Sequence, residues 1–526
     1  MAINYSQIFL WLLFLTVIVK HGLFWTAVWQ IKEYRLDRLR DYLSTPEGKK
    51  AVFNFGALME FAALVLILTL INRTGWLLLV TIVFLAEAVL AIQHLKKRTF
   101  IKPSFTAKAG LISAGTAILA LAMALLVFYN RPVLFYPGLL VIALVAGALV
   151  AGIILLFYPL SFFLKQRIIA VAKNKIALAK NLKVIGITGS YGKTSVKELT
   201  YQVLARHFQT AKTEKNNNTE IGVAQTVNRL NLAETELFIA EMGAYKIGEI
   251  KRLCDLVKPS IGILTGIDNQ HGALFGGLDN IIKAKAEIIL ALPIGGTAIL
   301  NYENKFIRQL VLPANLKKIS YGFAAADLIA SKITFNGQRQ SFNVTYRNQN
   351  AEFSTELIGR HNILNLLAAM AAALALGLTL AEIKADVSKV TMVDQTLKLI
   401  NRGQLILLDD SYNANFTGVL AALETLGQFK QAKMVVLDDI LELGRETKKI
   451  HQAVAEAVAE CAAAKIILTG KNYSRLLAGC LKALNVPETK ILIKPAEISS
   501  YLKSLNGENV ILFEGRRSGN YLKLFL

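Results

Sequence analysis

The hydrophobic pattern divides the chain near residue 165. Five long apolar stretches come before that point, and each reaches the roughly 20 residues that a membrane-spanning helix needs. The stretches cover residues 5–30, 52–71, 75–95, 107–129 and 133–163. After residue 183 the apolar runs shorten to strand length and alternate with polar loops and helical segments. We therefore predict a multi-pass α-helical membrane region over 1–165, with about five helices, followed by α/β structure.

Basic residues in the connections predict how the membrane region is oriented. Six Lys and Arg residues lie in 32–50, five lie in 96–108, and six more lie in 165–183. The alternate connections contain only Arg73 and Arg131. Because basic connections stay on the cytoplasmic side, we expect an N-terminus outside the plasma membrane and a cytoplasmic C-terminal half. Five spans, an odd number, would require the same arrangement.

Composition narrows the class of protein. The hydrophobic fraction is 54% and the mean hydropathy is +0.44, which exceeds the value for ordinary soluble domains. The net charge of +22 is explained by the connections, so we expect no nucleic-acid partner. The three cysteines are widely spaced, which argues against a disulfide framework or a zinc site. Glu60 and Glu87 lie inside apolar stretches and are functional candidates, although pairing within a helix bundle would also explain them.

The segment "LKVIGITGSYGKTSVKE" predicts a phosphate-binding loop between a buried strand and a helix. Gly189 and Gly192 allow backbone N–H groups to face phosphate oxygens, and Lys193 can reach the terminal phosphates. Thr194 is placed to bind magnesium. The adjoining hydroxyl residues Ser190 and Ser195 belong to the same predicted nucleotide contact.

Two later strands end in polar residues. "ELFIAEMGA" ends its strand at Glu241, where an acidic residue commonly holds the magnesium of a bound nucleotide. "SIGILTGIDNQHGALFGG" ends in a loop with Asp268, Asn269 and His271. The following helix carries Lys283 and Lys285. A single His or Lys of this kind is usually structural or solvated, so their interpretation depends on their order along the chain.

That order resembles the Mur ligase family, and within it the MurF-like, D-alanyl-D-alanine-adding branch. The segments that carry the resemblance are "GITGSYGKTSVKE", "NNNTEIGVAQTVNRL", "AEMGA", "GIDNQHGALFGGLDNIIKAKAEI", "GRHNILNLLAAMAAA" and "LLDDSYNANFTGVLAALETL". The resemblance implies two α/β domains. The first is a P-loop Mur ligase central ATP-binding domain over 183–395, and the second is a Rossmann-like C-terminal domain over 396–526.

The resemblance also implies roles for individual residues. Lys193, His271 and Lys285 would be catalytic, and a second magnesium site would include Glu241, His271 and a carbamylated Lys285. Contacts to the nucleotide would come from Gly189, Ser190, Gly192, Lys193, Thr194, Ser195, His361, Asn362, Asn365, Asp410, Tyr412 and Asn413. The implied reaction uses ATP and Mg²⁺ to convert a substrate carboxylate into an acyl phosphate, which an amino acid or dipeptide amine then attacks. The biological setting implied is peptidoglycan precursor synthesis.

The chain departs from the family pattern in two places. Apolar stretches stand where MurF-like enzymes have a domain that holds the UDP-sugar, so a lipid-linked muropeptide becomes a candidate substrate. Just before the C-terminal domain, Asp394 and Gln395 align with a Gly-Arg pair of the family, and within that domain Glu514 aligns with a lysine. Replacing that lysine by Glu514 reverses the charge at this position, which predicts a change in the amine substrate.

The sequence leaves two alternative functions open, one a different ligase and the other not an enzyme of this kind. The first is a Mur-like ligase with another acceptor, of the folylpolyglutamate, cyanophycin or amidotransferase kind; "DDSYNAN" favours the MurF-like reading over it. The second is a membrane transporter or scaffold regulated by a nucleotide. The apolar stretches show no internal repeat, which argues against transport.

Overall fold

A computed structural model of the protein describes residues 5–69, 73–96, 100–214, 217–268, 275, 277–391, 396–411, 414–440, 446–505 and 507–526. The chain forms two compact units, Met1–Lys165 and Gln166–Leu526. The first unit is built from helices alone in its described part, and the second contains two β-sheets with helices. The predicted fold class, a helical apolar region followed by two α/β domains, is confirmed.

Helices of the first unit follow the apolar stretches. They are α1 Tyr5–Ile31, α2 Leu36–Ser44, α3 Pro46–Val52, α4 Phe55–Thr69, α5 Arg73–Lys96, α6 Ala107–Asn130, α7 Phe135–Leu144, α8 Ala146–Leu156 and α9 Tyr158–Leu178, the last of which continues into the second unit. Helix α1 packs against α5, α6 and α8. Its buried residues Leu10, Phe14 and Val17 belong to one core with Phe84 and Ala120. Many other large apolar side chains on these helices are exposed, as expected for helices that face lipid.

The structure gives fewer spanning helices than the five predicted. Among the described residues three helices are long and apolar enough to cross a membrane, Tyr5–Ile31, Gly75–Lys96 and Ala107–Asn130. The count reaches four if Pro132–Leu144 and Ala146–Leu156 form one span, although these two helices are bent by 62°. The second apolar stretch forms a helix of 15 residues, α4. The argument from an odd number of spans therefore loses its basis, and the charge pattern remains.

The bend between α7 and α8 has a local cause. Helix α7 ends at Val145, which has φ −90° and ψ 7°, and small residues follow at Ala146 and Gly147. A Cβ atom added at Gly147 would lie 2.8 Å from the Trp25 ring, so glycine is needed for this contact with α1. Glycine also weakens a helix. The interruption thus replaces one long predicted span, 133–163, by shorter helices.

The first sheet of the second unit has nine strands in the order β2-β3-β1-β4-β5-β6-β7-β8-β9. The strands are β1 Lys183–Thr188, β2 Thr210–Lys212, β3 Leu237–Glu241, β4 Ile261–Leu264, β5 Thr297–Asn301, β6 Lys317–Gly322, β7 Leu328–Phe335, β8 Gln340–Tyr346 and β9 Gln349–Thr355. Neighbours from β2 to β7 pair in parallel, and β7, β8 and β9 pair antiparallel. Strand β1 lies between β3 and β4, so the loops after these three strands meet at one edge.

Helices cover both faces of this sheet. They are α10 Lys193–Leu204, α11 Glu220–Arg229, α12 Glu249–Val257, α13 Leu278–Leu290, α14 Lys305–Arg308, α15 Arg360–Ala375 and α16 Leu380–Val387. Helix α15 is alanine-rich and almost completely buried, and it packs against α10. Small side chains let the two helices approach closely. This contact brings the start of α15 to the phosphate loop at the start of α10.

The second sheet has six strands in the order β10-β11-β15-β12-β13-β14. The strands are β10 Lys398–Arg402, β11 Leu405–Asp410, β12 Ala432–Leu437, β13 Lys465–Leu468, β14 Ile491–Leu492 and β15 Asn509–Glu514. The helices are α17 Phe416–Gly427, α18 Thr447–Glu460, α19 Ser474–Ala483, α20 Pro495–Lys503 and α21 Ser518–Leu522. Only β10 pairs antiparallel among these strands. Asp410 and Glu514 are register partners at the ends of β11 and β15.

Candidate active site

The phosphate loop connects β1 to α10 and folds as the sequence predicts. Gly192 has φ +76°, in the left-handed region where a side chain is strained. A Cβ atom at Gly189 would lie 2.1 Å from Thr265 Oγ1, so glycine is required by close approach. The Ser190 backbone N–H donates to Gly266 O at 2.7 Å. These contacts hold the loop against the end of β4 and leave the start of α10 open to a phosphate.

Lys193 is the first residue of α10. Its ammonium donates to the carbonyl oxygen of Gly189 at 2.8 Å, within the loop itself. Desolvation lowers the pKa of Lys193, and the negative charge of Glu241 partly offsets that effect. The lysine is thus held beside the loop that it would serve.

Glu241, at the end of β3, is the centre of a buried polar cluster. Thr194 donates its hydroxyl proton to Glu241 Oε2 at 3.1 Å, and Asn218 Nδ2 donates to Glu241 Oε1 at 3.0 Å. The Lys197 ammonium lies 3.3 Å from Glu241 Oε2, and both side chains are almost fully buried. The backbone N–H of Glu241 also donates to Thr213 Oγ1. Thr194 and Glu241, the two residues predicted from the motifs, are brought together at the phosphate loop.

Sequence reasoning missed Lys197 and Asn218 as parts of this cluster. Both lie inside segments that carry the family resemblance, "GKTSVKE" and "NNNTEIG". Lys197 follows Thr194 by three residues on α10, so the two side chains share a helix face. That spacing was the available signal for Lys197. Asn218 gives no comparable signal, because only the fold of the segment after β2 brings it to β3.

Lys285 lies on α13 with only 3% of its surface exposed. Burial and the positive charge of Lys193 together lower its pKa to about 7, against the opposing effect of Glu249 and Glu287. Its ammonium nitrogen lies 5.9 Å from the centre of the Phe275 ring. A lysine with this pKa is partly neutral at physiological pH, and a neutral amine is a nucleophile. Lys283, on the same helix, is exposed.

The start of α15 carries three predicted nucleotide contacts. Burial lowers the pKa of His361 to about 4, so the neutral imidazole is favoured, and its Nδ1 atom is buried without a hydrogen-bond partner among the residues that the structure describes. Asn362 donates to the carbonyl oxygen of Ile358 at 2.9 Å. Asn365 donates to Asn362 Oδ1 at 3.4 Å and lies next to Gly192. An unpaired buried ring nitrogen is costly, so a ligand that hydrogen-bonds it would stabilise the site.

Asp410 and Glu514 form a carboxyl pair at the ends of β11 and β15. Burial raises the pKa of Asp410 to about 7 and raises the pKa of Glu514 well above its usual range. The backbone N–H of Leu397 donates to Asp410 Oδ1 at 3.2 Å. Glu514 is 1% exposed. Burial and the neighbouring Asp410 carboxyl thus both disfavour the ionised form of Glu514, and the predicted effect of this residue on the amine substrate stays a prediction.

These residues surround one cavity of about 450 Å³ in the second unit. Of the predicted contacts, its wall includes Ser190, Gly192, Lys193, Thr194, Ser195, His361, Asn362, Asn365 and Asp410. Glu241 and Lys285 lie behind that wall, and Glu241 is reached through Thr194. The opposite side is formed from Asn415, Thr417 and the rest of the start of α17. Thr417 donates its hydroxyl proton to Asp268 Oδ2 at 3.0 Å, which joins the two sheets of the unit across the cavity.

Several predicted residues lie outside the described part of the chain. These are His271, Asn269, Asp394, Gln395, Tyr412 and Asn413. Their predicted roles therefore stay predictions. The described neighbours Asp268, Thr396 and Asn415 belong to the site: Asp268 bonds Thr417, while Thr396 and Asn415 line the cavity.

Comparison with known proteins agrees with this geometry. The Mur ligase middle domain matches residues 187–373, and the Mur ligase, glutamate ligase domain, matches residues 396–517. UDP-N-acetylmuramoyl-tripeptide--D-alanyl-D-alanine ligase of Escherichia coli is 32% identical over 335 residues, which cover 61% of this chain and 74% of that one. MurF from Acinetobacter baumannii has a TM-score of 0.62 at 26% identity, covering 69% of this chain and 80% of that one.

A crystal structure of MurF ligase from Thermotoga maritima in complex with ADP has a TM-score of 0.61 at 21% identity, with 69% and 83% of the two chains covered. This likeness supports the fold. Together, the phosphate loop, the buried acidic cluster and the relatives establish the class of protein. The chain belongs to the Mur ligase family, as a MurF-like, ATP-dependent ligase of peptidoglycan precursor synthesis.

Proposed function

We propose that the protein joins a muropeptide carboxylate to the amine of a dipeptide at the cytoplasmic face of the membrane. The observation that carries the proposal is the single cavity shared by the phosphate loop, the start of α15 and the start of α17. A nucleotide bound there would meet groups from both sheets at once. The segments 183–395 and 396–526 then act as central and C-terminal domains, and 1–165 acts as the membrane region.

Magnesium is compatible with the residues present. The Thr194 hydroxyl and the Glu241 carboxylate are oxygen donors in hydrogen-bonding distance of each other, and Mg²⁺ prefers oxygen ligands. Thr194, Glu241 and the predicted His271 would hold the ions, together with a carbamylated Lys285. Bound Mg²⁺ would neutralise the charge that develops on the phosphate oxygens.

The chain's own residues would position the nucleotide and stabilise charge. The backbone N–H groups at the start of α10 bind phosphate oxygens, and the Lys193 ammonium stabilises the charge on the transferred group. His361 and Asn365 orient the base end through the buried polar atoms at the start of α15. The substrate carboxylate oxygen attacks the terminal phosphorus, and ADP leaves. The amine nitrogen then attacks the acyl carbon, and phosphate leaves with loss of an amine proton to solvent.

Lys285 is suited to carbamylation. Its pKa of about 7 leaves a large neutral fraction at pH 7 to 8. The neutral nitrogen attacks the carbon of CO₂, forms an N–C bond and loses a proton, which yields an anionic carbamate. An anion at this position would offset the positive charge of Lys193, which acts on Lys285 through space. Burial would protect the carbamate from hydrolysis.

The substrate proposal follows the relatives and the membrane region. The Escherichia coli relative is named for a UDP-N-acetylmuramoyl-tripeptide and D-alanyl-D-alanine, and we propose D-alanyl-D-alanine as the amine here. Because burial raises the pKa of Glu514 and disfavours its ionised form, repulsion of the carboxylate of such a dipeptide would be reduced. The apolar helices of 1–165 support a lipid-linked muropeptide as the carboxylate substrate. The basic connections 32–50, 96–108 and 165–183 support an N-terminus outside and cytoplasmic catalytic domains.

The test measures phosphate release from ATP by the full chain purified in detergent. D-alanyl-D-alanine is offered with either UDP-linked or lipid-linked muramoyl tripeptide, and the amide product is identified by mass spectrometry. We expect release that depends on both substrates, a preference for the lipid-linked carrier, and loss of turnover in Lys193→Ala. Lys283→Ala, which removes an exposed lysine, is the matched control and should retain activity.

Each result has a separate meaning. Turnover with the UDP-linked carrier alone would refute the lipid-linked substrate and keep the ligase. ATP binding without turnover on either carrier would refute the muropeptide substrate and favour a different acceptor.

A further inference from the structure

Three helices of the first unit bring a polar cluster into an otherwise apolar interior. The cluster consists of Lys20 and His21 on α1, Glu60 on α4 and Glu87 on α5. Both glutamates have 0% exposure, and His21 has 6%. Burying charged groups among apolar helices is expensive, so the cluster needs a compensating role. The ligase mechanism uses none of these residues.

The cluster is incompletely satisfied by its own members. Lys20 donates to Glu87 Oε2 in a close ion pair. Among the described residues, His21 Nε2, both carboxylate oxygens of Glu60 and Glu87 Oε1 are buried and have no hydrogen-bond partner. The cluster combines two carboxyl groups and one imidazole with the single ammonium of Lys20. The site therefore holds several buried polar atoms that could act as ligands.

The distances between His21 and the two glutamates indicate which ligand would fit between them. His21 Nε2 lies 3.4 Å from Glu60 Oε1 and 3.7 Å from Glu87 Oε2. Both distances exceed the usual N···O distance of about 2.7 to 3.2 Å, so an N–H at Nε2 would make only weak hydrogen bonds to the two carboxylates. Ligands bound tetrahedrally at about 2.0 to 2.2 Å from a zinc-like ion stand about 3.3 to 3.6 Å apart. The two His21 distances lie within or just above that spacing, and one ligand atom from each of the three residues lies within 4.8 Å of the other two.

The surroundings are also those of a metal site. Gly56 on α4 leaves space beside Glu87, since a Cβ atom there would lie 1.6 Å from Glu87 Oε1. The Lys20 contact can orient the Glu87 carboxylate, as outer partners of metal ligands do. A cavity of about 410 Å³, lined by Lys20, His21 and Gly56 among others, adjoins the cluster. This cavity provides room for water and a path of entry.

We propose that His21, Glu60 and Glu87 bind one divalent first-row transition-metal ion. Imidazole and carboxylate together suit Zn²⁺, Mn²⁺ or Fe²⁺. The ion would join α1, α4 and α5 within the first unit. Water in the adjoining cavity can complete its coordination. This inference is independent of the ligase reaction, since its ligands lie in another part of the chain.

The experiment uses the full chain, purified in detergent with an affinity tag that contains no histidine. The protein is treated with EDTA, dialysed against Zn²⁺ or Mn²⁺ in excess Mg²⁺, and desalted, and bound metal is measured by elemental mass spectrometry. We expect about one transition-metal ion per chain in the wild type. His21→Asn and Glu60→Gln should retain at least fivefold less. The exposed Glu33→Gln variant, which removes a carboxylate from the same unit at a position outside this cavity, should bind as the wild type does.

A second measurement decides the question if the variants fail to fold. Co²⁺ added to the EDTA-treated wild type should give the intense visible bands of low-coordinate cobalt, and metal should raise the apparent Tm. A wild type that retains no metal, or a folded His21→Asn variant that retains as much as the wild type, would overturn the proposal. A Co²⁺ spectrum that matches the hydrated ion would do the same.

Discussion

The Asp410–Glu514 pair makes the stability of the second unit depend on pH. Burial raises the pKa of Asp410 from 3.8 in its ordinary state to about 7 in the folded state. Between these values the folded protein binds a proton that the unfolded chain has released, so the contribution of this group to stability falls as pH rises and is fully present only below about pH 4. Glu514, whose pKa is raised well above its usual range, acts in the same direction.

The magnitude follows from the shift. From pH 5.5 to 8 the loss due to Asp410 alone is about 2 kcal/mol, because each pH unit below the folded pKa corresponds to about 1.4 kcal/mol. For a unit as long as Gln166–Leu526, an unfolding entropy of about 2.1 cal/mol/K per residue makes 1 kcal/mol equivalent to about 1 to 1.5 °C of Tm. We therefore expect the apparent Tm of the second unit to drop by about 2 to 3 °C between pH 5.5 and 8.

Glu514→Gln tests the cause of that drop. The glutamine amide can donate to the Asp410 carboxylate, which favours the ionised form and lowers the pKa of Asp410. The pH dependence of Tm should then shrink to less than half that of the wild type, as measured by differential scanning fluorimetry in detergent. Glu508→Gln, at an exposed position just before β15, should leave it unchanged. An unaltered slope in a folded Glu514→Gln protein would show that the pair does not share the proton.

Three further predictions concern the ATP site. Lys285→Ala should lower kcat by about 10- to 100-fold, while the control Lys283→Ala should not. Wild-type activity should fall in CO₂-free buffer and recover with bicarbonate. Full wild-type activity without CO₂ would exclude a carbamate. Lys197→Met leaves Glu241 as an unpaired buried charge and should cost about 3 to 5 kcal/mol of stability in chemical denaturation; a loss below 1 kcal/mol would contradict the pairing. His361→Ala should raise the KM for ATP by about 5-fold or more with little change in kcat, and equal KM values would show that the buried ring does not contact the nucleotide.

Local sequence was enough to predict the parts of the site that are built within one segment. The phosphate loop requires a strand, two glycines and a helix start, all contiguous in "VIGITGSYGKTS", and the structure has them. Glu241 was predicted at a strand end, and it lies there next to Thr194. Parallel strands place their carboxyl ends at one sheet edge, so motifs after successive strands converge.

Other features depended on contacts between distant segments. Lys197 and Asn218 come to Glu241 only because α10 and the segment after β2 pack against β3. The pKa shift of Glu514 could not be predicted from its residue type, because pairing of β11 with β15 buries it beside Asp410. The described residues contain fewer spanning helices than hydropathy predicts, because hydropathy does not register the break at Val145 or the described length of Phe55–Thr69.

The sequence by itself determined the division into an apolar helical half and a nucleotide-binding half, and it determined the family, because both depend on composition and on contiguous motifs. Tertiary structure alone decided the pKa shifts of Lys285, Asp410 and Glu514, and the meeting of His21, Glu60 and Glu87 from three separate helices. The physical reason is that desolvation and charge pairing depend on which side chains the fold buries together. Neighbours along the chain do not specify that environment.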